Sequence, residues 1–338
     1  MRTTFARFLL PLSQRRTLDE LTGDLDLSAG DADAKKSAFW IMLTLSALIA
    51  SAGVLADSTA TVIGAMIIAP LSTPIMGIAL GIAKQEAGAA ARAGRYVIGG
   101  GLLVVLIGVV FALVAPGTQT LLTNGQIASR TSPGIIDLVA AIATGFAGAI
   151  ALARRDVAAV LPGVAIAISL VPPLAVVGVC LGHGSVGLAL GALVLFLSNL
   201  VALVLAGTLV FTAVGYSAEA TGDRPRASRR KAYLTLGIVL VVVIIPLLAN
   251  TVATYIVSVW ADRVQQKAST WISAVPGASI EGVDFASTTM YVRVQTPGRL
   301  PEVAALMSEL NQVLPDGISV VVNTSLGEQI NAGNIGGG

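Results

Sequence analysis

Gly64-Ala65-Met66-Ile67-Ile68-Ala69-Pro70-Leu71-Ser72-Thr73-Pro74 is read again about 99 residues later as Gly163-Val164-Ala165-Ile166-Ala167-Ile168-Ser169-Leu170-Val171-Pro172-Pro173. At that offset Gly64 falls on Gly163, Ile67 on Ile166, Leu71 on Leu170 and Pro74 on Pro173, and upstream Asp57 falls on Asp156. A weaker match follows, with Gly108 on Gly207 as its clearest pair. Each copy is apolar and closes on proline and small polar residues. Together they predict a paired, interrupted membrane helix, an arrangement common in transporters and channels.

Composition agrees with a lipid environment. The chain has 338 residues, 55% of them hydrophobic and 12% charged, with mean hydropathy +0.83. A soluble domain cannot hide that much apolar surface, so the class is an α-helical polytopic membrane protein. A net charge of +2 gives no reason to expect nucleic acid. The single cysteine, Cys180, and the single histidine, His183, exclude a disulfide framework and argue against cysteine or multi-histidine metal sites and histidine-based catalysis. We expect no cofactor and no metal. The patch Phe8-Leu9-Leu10-Pro11-Leu12 is too short for a signal peptide and lacks a cleavage site after it.

Windows of about 20 apolar residues predict seven spans. They lie at 38–56, 60–83, 96–115, 134–153, 158–181, 186–214 and 233–259. The matched segments fall in the second and fifth spans, so each repeat holds three helices. An odd number of crossings turns the second copy over, and the first six spans become an inverted 3+3 repeat. With the N-terminus inside, the inner segments carry 16 of the 21 basic residues, and the outer loops keep only Arg130. The positive-inside rule therefore puts the N-terminus in the cytoplasm and the C-terminal domain outside.

The expected organisation is a cytoplasmic arm over 1–37, the six-helix domain over 38–214, a basic cytoplasmic loop over 215–232, a seventh helix over 233–260 and an extracytoplasmic domain over 261–330. In the last, Val264, Ala268, Trp271 and Ile272 have helical spacing, and Ile280, Val283 and Phe285 alternate loosely as in a strand. Met290, Val292 and Val294 alternate cleanly, Val303, Leu306, Met307 and Leu310 mark a helix, and Ile318, Val320 and Val322 a third strand. The order α-β-β-α-β predicts a small α+β domain of the split-βαβ kind.

Several motifs resemble a known family. Ala56-Asp57-Ser58, the run Val62 to Leu71, Leu161-Pro162-Gly163, Leu170-Val171-Pro172-Pro173-Leu174-Ala175 and Phe196-Leu197-Ser198-Asn199-Leu200-Val201 are similar to those of the bacterial "uncharacterised hydrophobic domain" membrane family, domain of unknown function 389. The resemblance covers roughly 38–214 and implies a prokaryotic inner-membrane protein. It implies no activity or substrate.

Candidate sites therefore rest on the residues. Ser72, Thr73 and Pro74 with Ser169, Pro172 and Pro173 are the binding elements, because helix breaks in lipid leave main-chain groups that need partners. The alternative is a packing kink met by neighbouring helices. Asn199 is an amide deep in an apolar helix, suited to solute contact or to interhelical hydrogen bonding. Asp57, Asp156 and Asp137 are gating or proton-linked candidates, with helix capping as the plainer role. Gly77/Gly81 and Gly178/Gly182 form GxxxG pairs for close packing within or between protomers, and a homo-oligomer is expected. The function these readings favour is a transporter or channel for a small polar or anionic solute. The alternative is a non-transporting envelope sensor or assembly protein that anchors its C-terminal domain. No phosphate loop, metal cluster or nucleophile–base pair suggests an enzyme.

Overall fold

A computed structural model describes residues 11, 13–114, 121–157, 170–221, 245, 248, 252, 256, 259–286, 289–298, 300–315 and 317–326. The chain forms two compact units, Met1–Asn250 and Thr251–Gly338. The first is helical: α1 (Leu18–Leu25), α2 (Ala32–Leu55), α3 (Thr59–Ile68), α4 (Ser72–Ala83), α5 (Ala87–Val114), α6 (Gly125–Thr131), α7 (Ile135–Ala153), α8 (Val171–Gly182), α9 (Val186–Ala213) and α10 (Tyr216–Thr221). Four helices, α2, α5, α7 and α9, are long and apolar enough to cross a membrane. The pair α3 and α4, bent by 47° at its break, is a fifth where the two count as one broken span, and α8 is a shorter apolar helix. This is a multi-pass membrane protein. Residues 158–169, the first half of the fifth expected span and Ser169 with it, lie outside the described residues. So does most of the seventh, of which Ile245, Leu248, Val252 and Ile256 are helical and exposed.

The second expected span is interrupted at Ala69-Pro70-Leu71, between α3 and α4. The offset of 99 reappears in the backbone. α4 and α8 each have 12 residues, α5 and α9 each have 28, and both ends of each later helix stand 99 positions after those of its counterpart. The turn joining α4 to α5 is also made twice. Lys84, Gln85 and Glu86 donate backbone N–H groups to Leu80, Ile82 and Gly81, and His183, Gly184 and Ser185 donate to Val179, Leu181 and Cys180. The left-handed residue is Gln85 in the first turn and Gly184 in the second, with φ 60° and 74°. Gln85 carries the strain that glycine avoids.

Close contacts follow the same correspondence. Gly108 of α5 lies against Ala175 and Gly178 of α8, and Gly207 of α9 lies against Met76 and Ala79 of α4. Along α5, Gly101 meets Leu174, Gly108 meets Ala175 and Gly178, and Ala112 meets Gly182, so α5 and α8 run the same way. Gly77 meets Ala93 and Gly81 meets Ala90, so α4 and α5 run opposite ways. It follows that α4 and α8 point in opposite directions. The GxxxG pairs are used inside one protomer.

The second unit has a helix α11 over 259–272, strands β1 (Ser279–Ala286) and β2 (Thr289–Thr296), helix α12 (Val303–Leu310) and strand β3 (Ser319–Leu326). Val264, Ala268, Trp271 and Ile272 pack with Met290, Val292, Val294, Leu306 and Leu310, as the alternation predicts, whereas Val303 is exposed. β1 pairs antiparallel with β2 through a bulge between Ile280 and Gly282, which is why β1 alternates loosely. β2 pairs directly and in parallel with β3. The expected split-βαβ arrangement is therefore corrected. Strand, α12 and strand form a plain crossover with no strand inserted between them.

A methyl group at Gly178 would overlap the Val105 carbonyl, whereas Gly64 and Gly94 have open space. Gly178→Ala is expected to cost about 1–3 kcal/mol by forcing α5 and α8 apart. Gly64→Ala and Gly94→Ala should leave the melting temperature in detergent unchanged or slightly raised.

Candidate functional site

The starts of α4 and α8 lie at one level. Gly100 of α5 faces Leu71, at the break before α4, and its neighbour Gly101 faces Leu174, in the first turn of α8. Positions 100 and 101 are the midpoint of the 28-residue α5. Ser72 and Thr73 occupy the first turn of α4, partly exposed, with Pro74 buried behind them. Pro172 and Pro173 occupy the first turn of α8 and are buried. Around these starts stand Leu43, Leu71, Leu170, Val171 and Leu174, all nearly or fully buried. Asn199 is buried in the middle of α9, and Ser198 beside it donates to the Leu195 carbonyl at 2.8 Å.

The prolines do not interrupt a hydrogen-bonded ladder. In a first turn the N–H has no partner within the helix, so proline removes a donor that would otherwise need satisfying. At α8 this leaves the amides of Val171 and Leu174 in the first four positions. The free carbonyls are on the other side of the break. The Ala65 carbonyl, in the last turn of α3, accepts from Ser46 Oγ of α2 at 2.8 Å.

The carboxylates sit at the two ends of the unit. Asp57 is left-handed, φ 49°, in the turn between α2 and α3. It does not cap α3; Ser58 does, accepting from the Thr61 N–H. Asp57 instead accepts from the Gln126 N–H at 3.0 Å, at the start of α6. Asn124 donates to the Val54 carbonyl at 2.8 Å, and the Gln126 side chain donates to Thr59 Oγ1 at 2.8 Å. Asp137 accepts from the Gly134 N–H at 2.8 Å and so caps α7. Asp156 is gripped by Arg154 through two contacts, at 2.9 and 2.6 Å, which holds its carboxyl below the usual range.

At the Asp156 end the N-terminal arm takes the part that α6 plays at the other. Arg16 N–H donates to the Ala153 carbonyl and Arg155 N–H to the Gln14 carbonyl, a short antiparallel bridge. Glu20 receives Arg155 at 2.8 and 2.9 Å, Arg15 meets Glu219 at 2.6 Å, and Tyr216 donates to the Arg16 carbonyl at 2.7 Å. Below these contacts Leu21, Leu25 and Leu27 are buried, and the Leu25 carbonyl rests on Gly77 of α4. Full burial contributes about 1.5–3 kcal/mol for each leucine, so the leucines hold the arm and the surface ion pairs orient it. Between arm and helices lies a cavity of about 30 Å³, room for one water, lined by Thr22, Asp26, Pro74, Lys84 and Tyr96 among others.

The sequence brought Asp57 and Asp156 forward but missed their partners. Thr17 with Glu20, a Thr-x-x-Glu capping box, was readable. So was Asn124 before Gly125 as a cap. Ser46 had no signal.

With the geometry in view, the chain can be compared with known proteins. Residues 66–205 match the model of a domain of unknown function, DUF389. That segment contains the break, α4, α5, α7, α8 and most of α9. A DUF389-type domain is therefore what the motifs pointed to. An uncharacterized protein of Methanocaldococcus jannaschii is 32% identical over 196 residues, 58% of this chain and 60% of that protein. The chain thus spans less than two thirds of that relative's length. No solved structure matches.

Glu20 supplies a pH test. The Thr17 backbone N–H, then Arg155, hold its carboxyl below the ordinary value near 4.5. A lowered folded value means that the stabilisation is present above the unfolded value and is lost as pH falls through the folded one. Hydrogen exchange of α1 amides should therefore accelerate relative to α9 as pH drops below about 4.5, after correction for intrinsic rates. Glu20→Gln should abolish most of that difference.

Proposed function

We propose that the protein is a membrane transporter or channel for a small polar or anionic solute, which binds near mid-membrane between the starts of α4 and α8. The observation that carries this reading is that the starts of α4 and α8 meet adjacent residues of α5, Gly100 and Gly101, within its apolar run and inward of Tyr96. Opposed directions of α4 and α8 and the repeated turns support an inverted 3+3 repeat, with six passes in this part and a seventh beyond it. In this reading Ser72 and Thr73, with Ser169 and Asn199, offer hydroxyl and amide contacts, and the two helix starts bring their positive ends towards the solute. With prolines replacing part of the α8 donors, hydroxyl contacts matter more, which favours an uncharged polar solute over a strong anion.

The end bearing Arg15, Arg16, Arg92, Arg154 and Arg155 faces the cytoplasm of a prokaryotic cell in this proposal, and the C-terminal domain lies outside. Asp57 and Asp156 then belong to opposite faces, where gating contacts would act. A homo-oligomer belongs to the same proposal, built through exposed faces such as that of Ile136 and Val139 on α7.

The second reading, a non-transporting sensor or assembly protein, has one observation in its favour: leucine and valine close around the half-helix starts. The two readings separate in proteoliposomes. Transport predicts flux of some solute in an ion and metabolite panel, lowered about tenfold or more by Thr73→Val or Asn199→Leu, about what one lost solute hydrogen bond to a buried group costs. Anchoring predicts silence across the panel, and loss of cellular function on removing 261–338 with no effect of either substitution.

A further inference from the structure

Away from the proposed site, α2 and α5 form a seam at the basic end. These helices run side by side: Phe39 packs edge-on to Tyr96 with centroids 5.7 Å apart, Trp40 lies 6.4 Å from Tyr96, and Trp40 covers Gly99. Beyond the aromatic cluster, both helices turn apolar side chains outward. α2 exposes Ile41, Leu45 and Leu48, and α5 exposes Ile98, Leu102 and Leu106, the last three at 60–66%. The stripe on α5 begins with Arg95, which is exposed and three residues ahead of Ile98. Arg95 has no ion pair among the described residues. Lys36, one turn ahead of Trp40, has only a 4.0 Å approach to Asp33, whose side chain is fully exposed.

The contrast with the rest of this end is informative. Arg15, Arg16, Arg92, Arg154 and Arg155 each meet a carboxylate of the protein. Lys36 and Arg95 stand apart, on either side of an indole and a phenol, at the head of an alkyl-lined seam. Aromatic rings of this kind sit at the level of lipid headgroups, and cations beside them meet phosphate.

We propose that this seam binds an anionic phospholipid of the basic-end leaflet. Lys36 and Arg95 hold the headgroup phosphate, Trp40 and Tyr96 mark its depth, and one acyl chain lies along Ile98, Leu102 and Leu106. The charge selects the lipid and the alkyl stripe orients it. The site is independent of any solute path, since it lies on the outer surface of the unit. Each cation near the anionic surface contributes about fivefold in affinity.

The test uses the full chain in detergent and in nanodiscs, and needs no transport assay. Phosphatidylglycerol should raise the melting temperature and persist as an adduct in native mass spectrometry, and phosphatidylcholine should not. Inorganic phosphate and glycerol phosphate alone should give no shift, which separates a lipid site from a free-phosphate site. Lys36→Gln with Arg95→Gln should lower the preference for phosphatidylglycerol about tenfold or more, with melting in phosphatidylcholine unchanged. Arg130→Gln at the opposite end should leave the preference intact. Equal binding of both lipids by the unaltered protein, or full preference retained in the double variant, would overturn the proposal; so would a shift with inorganic phosphate equal to that with lipid.

Discussion

A helix that stops inside an apolar layer must find partners for its last carbonyls and first amides, and the rest of the unit is arranged around that requirement. At the break between α3 and α4, Ser46 reaches across from α2 to the Ala65 carbonyl, and the Thr73 N–H turns back to the Pro70 carbonyl. On the far side of this break Pro74 takes a position whose N–H would otherwise be orphaned, and Pro172 and Pro173 do the same in the first turn of α8. The proline-rich ends therefore reduce the unsatisfied main chain instead of creating it. A broken helix can then sit among leucines without a large penalty.

Satisfying the break locally leaves the half-helices short, and short helices need close neighbours. The glycines provide them. Gly108 lets α5 approach α8, and Gly207 lets α9 approach α4, so each of the two 12-residue helices leans on a 28-residue helix. The turns at the ends are held in the same crossed manner. Asn124 and Gln126, ahead of α7, grip the turn after α2, and Gln14, Arg16 and Glu20, ahead of α2, grip the turn after α7. The chemistry differs between the ends. Neutral amides serve one, and arginines paired with carboxylates serve the other, in step with the charge asymmetry along the chain.

Much of this was legible because apolar periodicity and repetition are local signals. The offset of 99 in the sequence became the same offset in helix ends, turns and glycine contacts, down to Gly108 and Gly207. The clean alternation at Met290, Val292 and Val294 became a buried strand face. What escaped depends on contacts between distant residues. Nothing near Asp57 in the sequence marks Gln126 as its donor, and nothing near Ser46 marks Ala65. The early start of α2 at Ala32, ahead of the expected 38, reflects polar helical turns that a hydropathy window does not register. Strand order in the C-terminal unit was misjudged because the succession α-β-β-α-β fixes the elements and leaves open whether β2 and β3 are neighbours.

The leucine-filled surroundings of the half-helix starts bear on function through the symmetry. Leu71 and Leu170 are counterparts at the offset of 99, and both are buried, Leu71 at the break before α4 and Leu170 just ahead of α8. A simple anchor needs apolar filling, but it has no need for two oppositely directed half-helices that start at one depth. The proposed pathway accommodates the filling too, because a closed barrier between two aqueous faces must exclude water as well as solute. Glycine contacts, Gly108 against Ala175 and Gly207 against Ala79, bring the backbones close, and the larger buried side chains Ile75, Met76, Leu80, Leu174 and Val176 pack around them. In the proposed pathway the apolar closure around Leu71 and Leu174 would be the shut state, and the crossed grips at the two ends would be where its opening is decided.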